Sequence, residues 1–509
     1  MGECVEEPGT RIVAVSNRLP IRLVHGPDGL EIKPGAGGLV TALAPVFRNR
    51  GGVWIGWSGG TDDADLAGLM EPASREAGYS LHPVPLSADE VGDYYYGFSN
   101  EVIWPLFHDL QTRCNFKPRY WQQYLNVNRK FAEITTKHSS ETDYIWVHDY
   151  HLVHMAQSLK ELGAERNTGF FLHIPFPPVD IFMKLPWRAQ ILRALLEYEL
   201  VGFQTMRDRK NFIRCLRYIS PGIRTSGRGP VVTVIVGDKR VRVGAFPISI
   251  DHDAFARDAE SKEVADMAWY LHEALPNRQI ILGVDRLDYT KGIPERLEAF
   301  KDALSRFPEL QGKITLVQVV VPSREEVPEY QMLRAELYRL VGEINGRFTR
   351  SGWVPIHYLY RSLGRSELLA YYRLAEIAII TPLKDGMNLV AKEYCACNLE
   401  ENGVLILSEF AGAAAQLHRG AIMVNPYDVE GMSDAIHQAF HMDQAERHDR
   451  MHRLREKVHH RDIIWWANNF LEAAIAKDLR SFPAVEEYMP EIPLASNECL
   501  NEKAVQTQF

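Results

Sequence analysis

The sequence Thr381-Pro382-Leu383-Lys384-Asp385-Gly386-Met387-Asn388-Leu389-Val390-Ala391-Lys392-Glu393-Tyr394 follows a short apolar run at residues 377–380. That run is rich in β-branched side chains and predicts a buried parallel strand. The residues after Asn388 predict a helix, because no Gly or Pro occurs among them through Cys397. A strand, a polar turn and a helix start point free backbone N–H groups at one place, which suits the phosphates of a nucleotide. On this stretch alone, an ordinary turn with solvated carboxylates is an equally good explanation.

A resemblance decides between these two interpretations. The ten residues from Asp385 to Tyr394 resemble the donor-binding signature of the trehalose-6-phosphate synthase family, which are retaining glycosyltransferases of family 20. The resemblance extends from about Val13 to Phe470. It implies an α/β fold of GT-B architecture, in which two Rossmann-like, doubly wound domains face each other across a cleft.

Length and composition are consistent with such an enzyme. A chain of 509 residues is long enough for two or three domains. The net charge of -9 argues against a general nucleic-acid binder. The six cysteines form no CxxC pair, which is typical of reduced thiols in the cytoplasm. The N-terminus lacks the apolar core of a signal peptide and no run is long enough to span a membrane, so we expect a cytoplasmic protein without membrane contact.

Alternating strand and helix patterns predict two parallel sheets. The first series has strands at residues 11–16, 53–57, 144–147, 169–172 and 200–203 and a hairpin at 231–243. The second series has strands at residues 279–284, 314–321, 356–359, 377–380, 404–407 and 421–424. We therefore expect an acceptor-binding domain at 1–248, a nucleotide-sugar-binding domain at 249–460, a helix at 461–480 that packs back on the N-terminal domain, and a loose tail at 481–509.

Arg286 and Lys291 directly follow the first strand of the second series. An Arg fork and a Lys point charge suit a diphosphate, although a surface salt-bridge cluster with Asp285 and Asp288 is the alternative. In the family that the chain resembles, the matching Arg and Lys bind the diphosphate of the donor. They would stabilise the charge that grows on the leaving nucleotide.

The resemblance implies the rest of the donor site. Asp385 and the N–H groups of residues 386–388 would bind the glucose hydroxyls. The N–H groups of Leu389 and Val390 would bind the diphosphate, and Glu393 would bind the ribose. A glycine turn at residues 35–38 lets a ligand approach the backbone closely, but it would also serve as a flexible linker. The implied donor-binding residues are Gly37, Gly38, His173, Arg286, Lys291, Leu363, Asp385, Gly386, Met387, Asn388, Leu389, Val390 and Glu393.

The acceptor site is also implied by the resemblance. Arg18 and Arg324, each after a predicted strand of a different domain, are the candidates for binding the acceptor's phosphate. Asp149 would contact the acceptor sugar near its attacking hydroxyl. Tyr95 and Trp104 would contact the same sugar, with the register at Tyr94-Tyr95-Tyr96 open by one residue. The implied acceptor-binding residues are Arg18, Tyr95, Trp104, Asp149 and Arg324, and the implied catalytic residues are Asp149, His173, Arg286, Lys291 and Asp385.

His148, His151 and His154 have a spacing that suggests a metal site. In a turn between strand and helix these side chains need not converge, so we expect no metal there. We expect neither an essential metal nor a cofactor beyond the sugar nucleotide.

The implied reaction transfers glucose from UDP-glucose to glucose 6-phosphate and gives α,α-trehalose 6-phosphate and UDP. We expect a homo-oligomer, a dimer or a tetramer, and a separate trehalose-phosphate phosphatase, since no phosphatase-like domain follows. The alternatives are a synthase with another acceptor, such as glycerol 3-phosphate or a cyclitol, and a sugar-phosphate sensor without turnover. An NAD-dependent dehydrogenase is disfavoured because no G-x-G-x-x-G follows a strand.

Overall fold

The computed structural model describes residues 11–26, 29–35, 38–61, 67–324, 327–476, 479 and 482–490. In chain order its strands are β1 (Ile12–Arg18), β2 (Ile21–Gly26), β3 (Gly29–Pro34), β4 (Val53–Trp57), β5 (Ser80–Pro83), β6 (Tyr144–His148), β7 (Asn167–Phe171), β8 (Leu200–Phe203), β9 (Arg224–Ser226), β10 (Val231–Val236), β11 (Lys239–Ala245), β12 (Gln279–Arg286), β13 (Ile314–Val321), β14 (Ile356–Tyr360), β15 (Ile377–Ile380), β16 (Val404–Ser408) and β17 (Ile422–Val424).

Helices separate most of these strands and cover the sheets. The α-helices are Gly38–Arg50, Ala67–Ala77, Ala88–Glu90, Trp104–Phe107, Pro118–His138, Met155–Glu161, Val179–Phe182, Arg188–Leu195, Met206–Ile219, His252–Glu260, Lys262–Ala274, Ile293–Arg306, Pro328–Phe348, Arg365–Leu374, Leu389–Cys397, Ala414–Leu417, Val429–His441, Gln444–His460 and Ile463–Ile475. A π-helix spans Val91–Ile103, and 3₁₀ turns span Gln111–Arg113, Tyr150–Leu152, Tyr289–Lys291 and Pro308–Leu310.

Two sheets of the described chain confirm the α/β class. The first has nine strands in the order β5-β4-β1-β6-β7-β8-β11-β10-β9, and the second has six in the order β14-β13-β12-β15-β16-β17. The second sheet is parallel throughout, whereas β9 and β10 add an antiparallel edge to the first. The central strands are mainly apolar and almost entirely buried, because helices cover both faces of the sheets.

The strand order reverses at one point in each sheet. In the first sheet the chain runs outward from β1 to β4 and β5, and then returns to place β6 on the other side of β1. In the second sheet it runs from β12 to β13 and β14, and then returns to place β15 on the other side of β12. A crevice opens beyond the carboxyl ends of the strands at such a reversal, and ligands bind there in open α/β sheets. The reversals therefore fix where a site is expected in each domain.

The helix Ile463–Ile475 packs against the first sheet, although it follows the second in the chain. The Trp466 ring stacks on Trp146 of β6 with ring centroids 5.1 Å apart, and its indole N–H donates to the Phe246 carbonyl at 3.0 Å. Phe470 also stacks on Trp146, with ring centroids 4.7 Å apart. This helix therefore ties the end of the chain to the N-terminal domain.

Residues 482–490, which follow this helix, contact both domains, whereas the sequence predicted a loose tail from residue 481 onward. Glu487 pairs with Lys210 of the N-terminal domain at 2.6 Å, and Glu486 pairs with Lys457 of the C-terminal domain. Apolar side chains at Phe482 and Tyr488 pack against the core, which a composition rich in proline did not indicate. Residues 491–509 lie outside the described residues.

Among the described residues, no helix is both long and apolar enough to cross a membrane.

Candidate active site

The turn at residues 381–388 joins β15 to the helix Leu389–Cys397, as the sequence predicted. Asn388 has a left-handed backbone with φ 65°, and its side-chain oxygen accepts a hydrogen bond from the Ala391 N–H at 3.2 Å. This cap satisfies one free N–H group of the helix start. The helix start, with the positive end of its dipole, lies at the strand-order reversal, and such an end attracts anions.

Lys291 and Asp385 lie in the turns that follow β12 and β15, the two strands that flank this reversal. The Lys291 ammonium donates to the Asp385 carboxylate at 2.6 Å. Burial raises the pKa of Asp385, but Lys291 and the Met387 N–H outweigh burial and hold it below the ordinary value. Gly292, which follows Lys291, has φ 64°, and a Cβ there would lie 2.1 Å from the Thr381 carbonyl oxygen. Only glycine allows the two turns to approach this closely.

Gly386 brings the same turn against the N-terminal domain. A Cβ at Gly386 would lie 2.3 Å from the His173 carbonyl oxygen and 2.8 Å from the Ile174 Cα. The backbone of the donor turn therefore touches the segment that follows β7. The two halves of the site are in direct contact at this glycine.

Three arginines from both domains surround Tyr95. The Arg18 guanidinium, at the end of β1, lies 3.8 Å from the Trp57 ring and 5.4 Å from the Tyr95 ring. Burial raises the pKa of Tyr95, but Arg324, Arg18 and Arg286 together lower it below the ordinary value. Tyr94, by contrast, is fully buried and donates to Asn17.

Trp104 lies between two of these arginines. The Arg324 guanidinium carbon is 4.7 Å from its ring centroid, and that of Arg286 is 6.0 Å away. Both distances lie within the range of cation–π attraction. Trp104 belongs to the N-terminal domain and both arginines belong to the C-terminal domain, so the contact spans the cleft.

Asp149 and His173 follow the neighbouring strands β6 and β7. The Asp149 backbone has φ 76°, which is strained for a residue other than glycine. Its carboxylate accepts from the His173 N–H at 3.2 Å, and burial raises the pKa of Asp149 to about 7. His173 Nε2 lies 3.1 Å from His148 Nδ1, and burial lowers the pKa of His173 to about 3. His173 is therefore neutral at physiological pH.

The other predicted donor residues lie near the helix Leu389–Cys397. Glu393 accepts from the Tyr372 hydroxyl at 2.9 Å, and burial raises its pKa. Met387, Val390 and Leu363 are partly buried against the core. Gly38 begins the helix Gly38–Arg50, whereas Gly37 lies outside the described residues.

The three histidines His148, His151 and His154 do not converge on a metal position within the described chain. His148 pairs with His173 instead, and the His151 ring stacks on Tyr95 at 6.0 Å. Groups whose ligand atoms are close enough for a metal occur in the described residues at His252-Asp253-His459, Glu309-His437-His441 and Glu456-His459-His460.

Sequence reasoning missed several residues of this region. Lys384 forms an ion pair with Asp109 across the cleft. The Tyr330 hydroxyl accepts from the Arg324 guanidinium at 2.5 Å. Lys384 and Asp109 lie 275 positions apart, so no local pattern indicated this pair. Tyr330 lies only 6 positions after Arg324, in the first turn of the next helix. Asp285 and Asp288 are buried partners of Arg296 and Arg324, not members of a surface cluster with Arg286.

Comparisons with known proteins identify the family to which the chain is similar. The family described as Glycosyltransferase family 20 matches residues 10–476. A trehalose-6-phosphate synthase of Mycobacterium sp. (strain JLS) is 45% identical over 468 residues, which cover 91% of this chain and 95% of the relative. A trehalose-6-phosphate synthase of Mycobacterium ulcerans (strain Agy99) is 43% identical over 467 residues, with 91% and 93% covered.

Solved structures share the fold over nearly the same range. An α,α-trehalose-phosphate synthase (UDP-forming) from Burkholderia xenovorans, in complex with glucose-6-phosphate, has a TM-score of 0.82 at 33% identity, covering 91% of this chain and 99% of that one. A structure from E. coli described as trehalose-6-phosphate bound with UDP-2-fluoro glucose has a TM-score of 0.81 at 36% identity, with 91% and 99% covered. These matches confirm the predicted two-domain architecture.

The matching family covers both sheets, the turn at 381–388 and the arginines around Tyr95, and the chain belongs to glycosyltransferase family 20.

Proposed function

We propose that this chain is a retaining glucosyltransferase that moves glucose from UDP-glucose to C1 of glucose 6-phosphate, releasing UDP and α,α-trehalose 6-phosphate. The observation that carries the proposal is the group of three arginines, drawn from both domains, around Tyr95. Arg286 and Arg324 belong to the same domain as a helix start suited to a diphosphate, whereas Arg18 belongs to the N-terminal domain. The relatives named trehalose-6-phosphate synthase support the same reaction.

On the donor side, Lys291, Arg286 and the N–H groups of the helix start would bind the diphosphate. These groups would stabilise the negative charge that develops on UDP as the glycosidic bond breaks. Asp385 would accept hydrogen bonds from the glucose hydroxyls, and Glu393 would accept them from the ribose. Lys291 and Asp385 are paired at 2.6 Å, so each orients the other before the donor binds.

On the acceptor side, Arg18 and Arg324 would bind the phosphate. Retention without a covalent intermediate requires the acceptor hydroxyl to attack on the face that the diphosphate leaves, and the diphosphate then takes the proton of that hydroxyl. Asp149 would hold the acceptor sugar near this hydroxyl. Its pKa of about 7 makes it partly protonated at neutral pH, which suits a hydrogen-bonding role.

The test compares glucose 6-phosphate with glucose as acceptors. Each hydrogen bond to a charged group contributes roughly 1.5–3 kcal/mol, so glucose should have a kcat/KM at least about a hundredfold lower. Arg324→Ala and Arg18→Ala should both shrink this difference by weakening glucose 6-phosphate, with donor Kd nearly unchanged. Equal loss of donor and acceptor binding in Arg324→Ala would place that arginine in the donor subsite.

We further propose that turnover needs no metal ion, since Lys291, Arg286 and backbone N–H groups supply the positive charge at the diphosphate. Activity should survive exhaustive chelation, apart from a modest effect of Mg²⁺ on free nucleotide. A stoichiometric metal that is lost together with activity would contradict this proposal.

The cellular setting is also a proposal. The described cysteines Cys114, Cys215, Cys395 and Cys397 carry free thiols, which supports a cytoplasmic location. We propose a homo-oligomer, a dimer or a tetramer, whose product passes to a separate phosphatase, with no nucleic-acid or membrane partner. Light scattering of the purified protein would test the oligomeric state, and a monomer would contradict it.

A further inference from the structure

Two residues outside the predicted donor-binding and acceptor-binding sets, Tyr330 and Asp288, contact the Arg324 side chain. Its Nη1 donates to the Tyr330 hydroxyl at 2.5 Å and lies 3.7 Å from the Asp288 Oδ2. The guanidinium carbon is also 5.6 Å from the Tyr330 ring centroid. Tyr330 lies in the first turn of the helix Pro328–Phe348, and Asp288 follows β12.

The two oxygens of Asp288 make different contacts. Oδ1 accepts from the Thr290 N–H at 3.0 Å and from the Thr290 hydroxyl at 2.9 Å. Oδ2 accepts from the Tyr330 hydroxyl at 3.4 Å and faces Arg324. One oxygen therefore fixes the carboxylate to the backbone, and the other faces the tyrosine and the arginine.

Asp288 is charged in spite of its burial. Its side chain is 1% exposed, and burial alone raises its pKa. Arg324, Arg286 and Lys291 together outweigh burial and hold the pKa below the ordinary value. A buried carboxylate that stays ionised attracts and orients the nearest guanidinium. That guanidinium is Arg324, whose side chain is 7% exposed.

Arg324 needs such support. Its backbone has φ 49°, a left-handed conformation that is strained for an arginine. A long side chain also loses rotamer entropy when it is fixed, and this loss weakens binding if it occurs only when the ligand arrives. Contacts with Tyr330, Asp288 and the Trp104 ring fix the guanidinium in advance.

We propose that Tyr330 and Asp288 are positioning residues that orient Arg324 for the phosphate of the acceptor. The inference rests on the proposed function, because it gives Arg324 the acceptor's phosphate as its ligand. Tyr330 and Asp288 act through Arg324 and do not touch the reacting atoms. They therefore set the selectivity of the site for a phosphorylated acceptor over a free sugar.

The first test is Tyr330→Phe, which removes one hydroxyl and keeps the ring beside Arg324. We expect the KM for glucose 6-phosphate to rise about tenfold or more, as loss of a hydrogen bond to a charged group implies. The KM for UDP-glucose and kcat should change less than about threefold, and the kcat/KM for glucose should stay nearly constant. Tyr338→Phe is the matched control, because Tyr338 is exposed on the same helix and should alter none of these constants.

A double-mutant cycle separates positioning from a general structural role. If Tyr330 acts through Arg324, adding Tyr330→Phe to Arg324→Ala should change the KM for glucose 6-phosphate by less than about twofold. Independent, multiplicative effects of the two substitutions would overturn the proposal. So would a Tyr330→Phe variant whose donor and acceptor KM values rise together.

Asp288→Asn is the second variant and retains the Oδ1 contacts to Thr290. It removes the charge that faces Arg324, so we expect an increase in the KM for glucose 6-phosphate at least as large as that of Tyr330→Phe. An unchanged acceptor KM in this variant would overturn the role of Asp288. If the wild-type enzyme itself fails to prefer glucose 6-phosphate over glucose, the proposed function fails. If the wild type shows this preference and both variants retain it undiminished, only this inference fails.

Discussion

At the scale of single residues, the site is built from charges that hold one another in place. Lys291 pairs with Asp385, Asp288 faces Arg324, and Asp285 pairs with Arg296 at 2.6 Å. Buried charges are tolerated only when they are paired in this way. The Lys291–Asp385 and Asp288–Arg324 pairs share no side chain, but Lys291 also helps to hold the pKa of Asp288 below its ordinary value.

Lys291→Ala should reduce kcat/KM by at least about two orders of magnitude, because the variant loses a donor that stabilises charge on the leaving diphosphate. The measurement is the rate of UDP release at saturating glucose 6-phosphate. Lys313→Ala, at an exposed position before β13, is the control and should have wild-type kinetics. Near wild-type turnover in Lys291→Ala would contradict the assignment of Lys291 to the diphosphate.

At the scale of elements, both groups of ligands follow strands at the reversals of strand order. Arg18 ends β1 and Asp149 follows β6, and Lys291 and Asp385 follow β12 and β15. This placement could be predicted, because apolar β-branched runs such as Ile314–Val321 and Ile377–Ile380 have the bounds that the sequence indicated. Short or irregular elements could not be predicted, since Ser80–Pro83 has no alternating pattern and the π-helix Val91–Ile103 has no simple period.

The site was predicted only in part, for a physical reason. Residues at strand ends, such as Arg286 and Asp385, carry a local signal, and the resemblance supplied their roles. The residues that contact and orient them in the folded protein carry no such local sequence signal. Tyr330 meets Asp288 from 42 positions away, and Lys384 meets Asp109 from 275 positions away. Such contacts depend on how helices and domains pack, which a local pattern does not encode.

Two glycine substitutions test the backbone of these elements. Gly386→Ala should reduce kcat/KM for both substrates by at least about tenfold, because the added Cβ would lie 2.3 Å from the His173 carbonyl oxygen and force the donor turn away. Gly346 lies in the helix Pro328–Phe348, and a Cβ added there would meet no described atom within 4 Å apart from its chain neighbours and the backbone of its own helix. Gly346→Ala should therefore stabilise the protein by about 0.5–1 kcal/mol. Kinetics and thermal unfolding of both variants are the measurements. A Gly386→Ala enzyme with normal kinetics would contradict the close contact.

At the scale of the whole molecule, the two domains are joined by more than the chain crossing at residues 246–251. Lys384 pairs with Asp109, Arg324 packs on Trp104, and the Arg113 guanidinium lies 4.6 Å from the Tyr289 ring. The helix Ile463–Ile475, which follows the second domain in the chain, packs against the first sheet and adds a further contact between the domains. The cleft is therefore lined by residues that meet only when both domains are in place.

The buried histidines of the N-terminal domain should make the protein sensitive to acid. Burial lowers the pKa of His154 to about 4, whereas an exposed histidine titrates near 6.5. The unfolded chain thus binds more protons below pH 6.5, and stability should fall as the pH drops from about 6.5 to about 4. At pH 5 His154 alone should cost about 2 kcal/mol. His154→Gln should reduce the loss of the urea midpoint between pH 7 and pH 5, and an unchanged loss would contradict a buried neutral histidine.

The most direct measurement is the identity of the product formed from UDP-glucose and glucose 6-phosphate. Two-dimensional NMR of the purified product should show a non-reducing disaccharide phosphate with two α-configured anomeric centres, formed in a one-to-one ratio with UDP. The donor's anomeric configuration is then retained, and the acceptor is joined through C1. A reducing disaccharide, a β-linked product, or UDP release that does not depend on glucose 6-phosphate would contradict the proposed reaction.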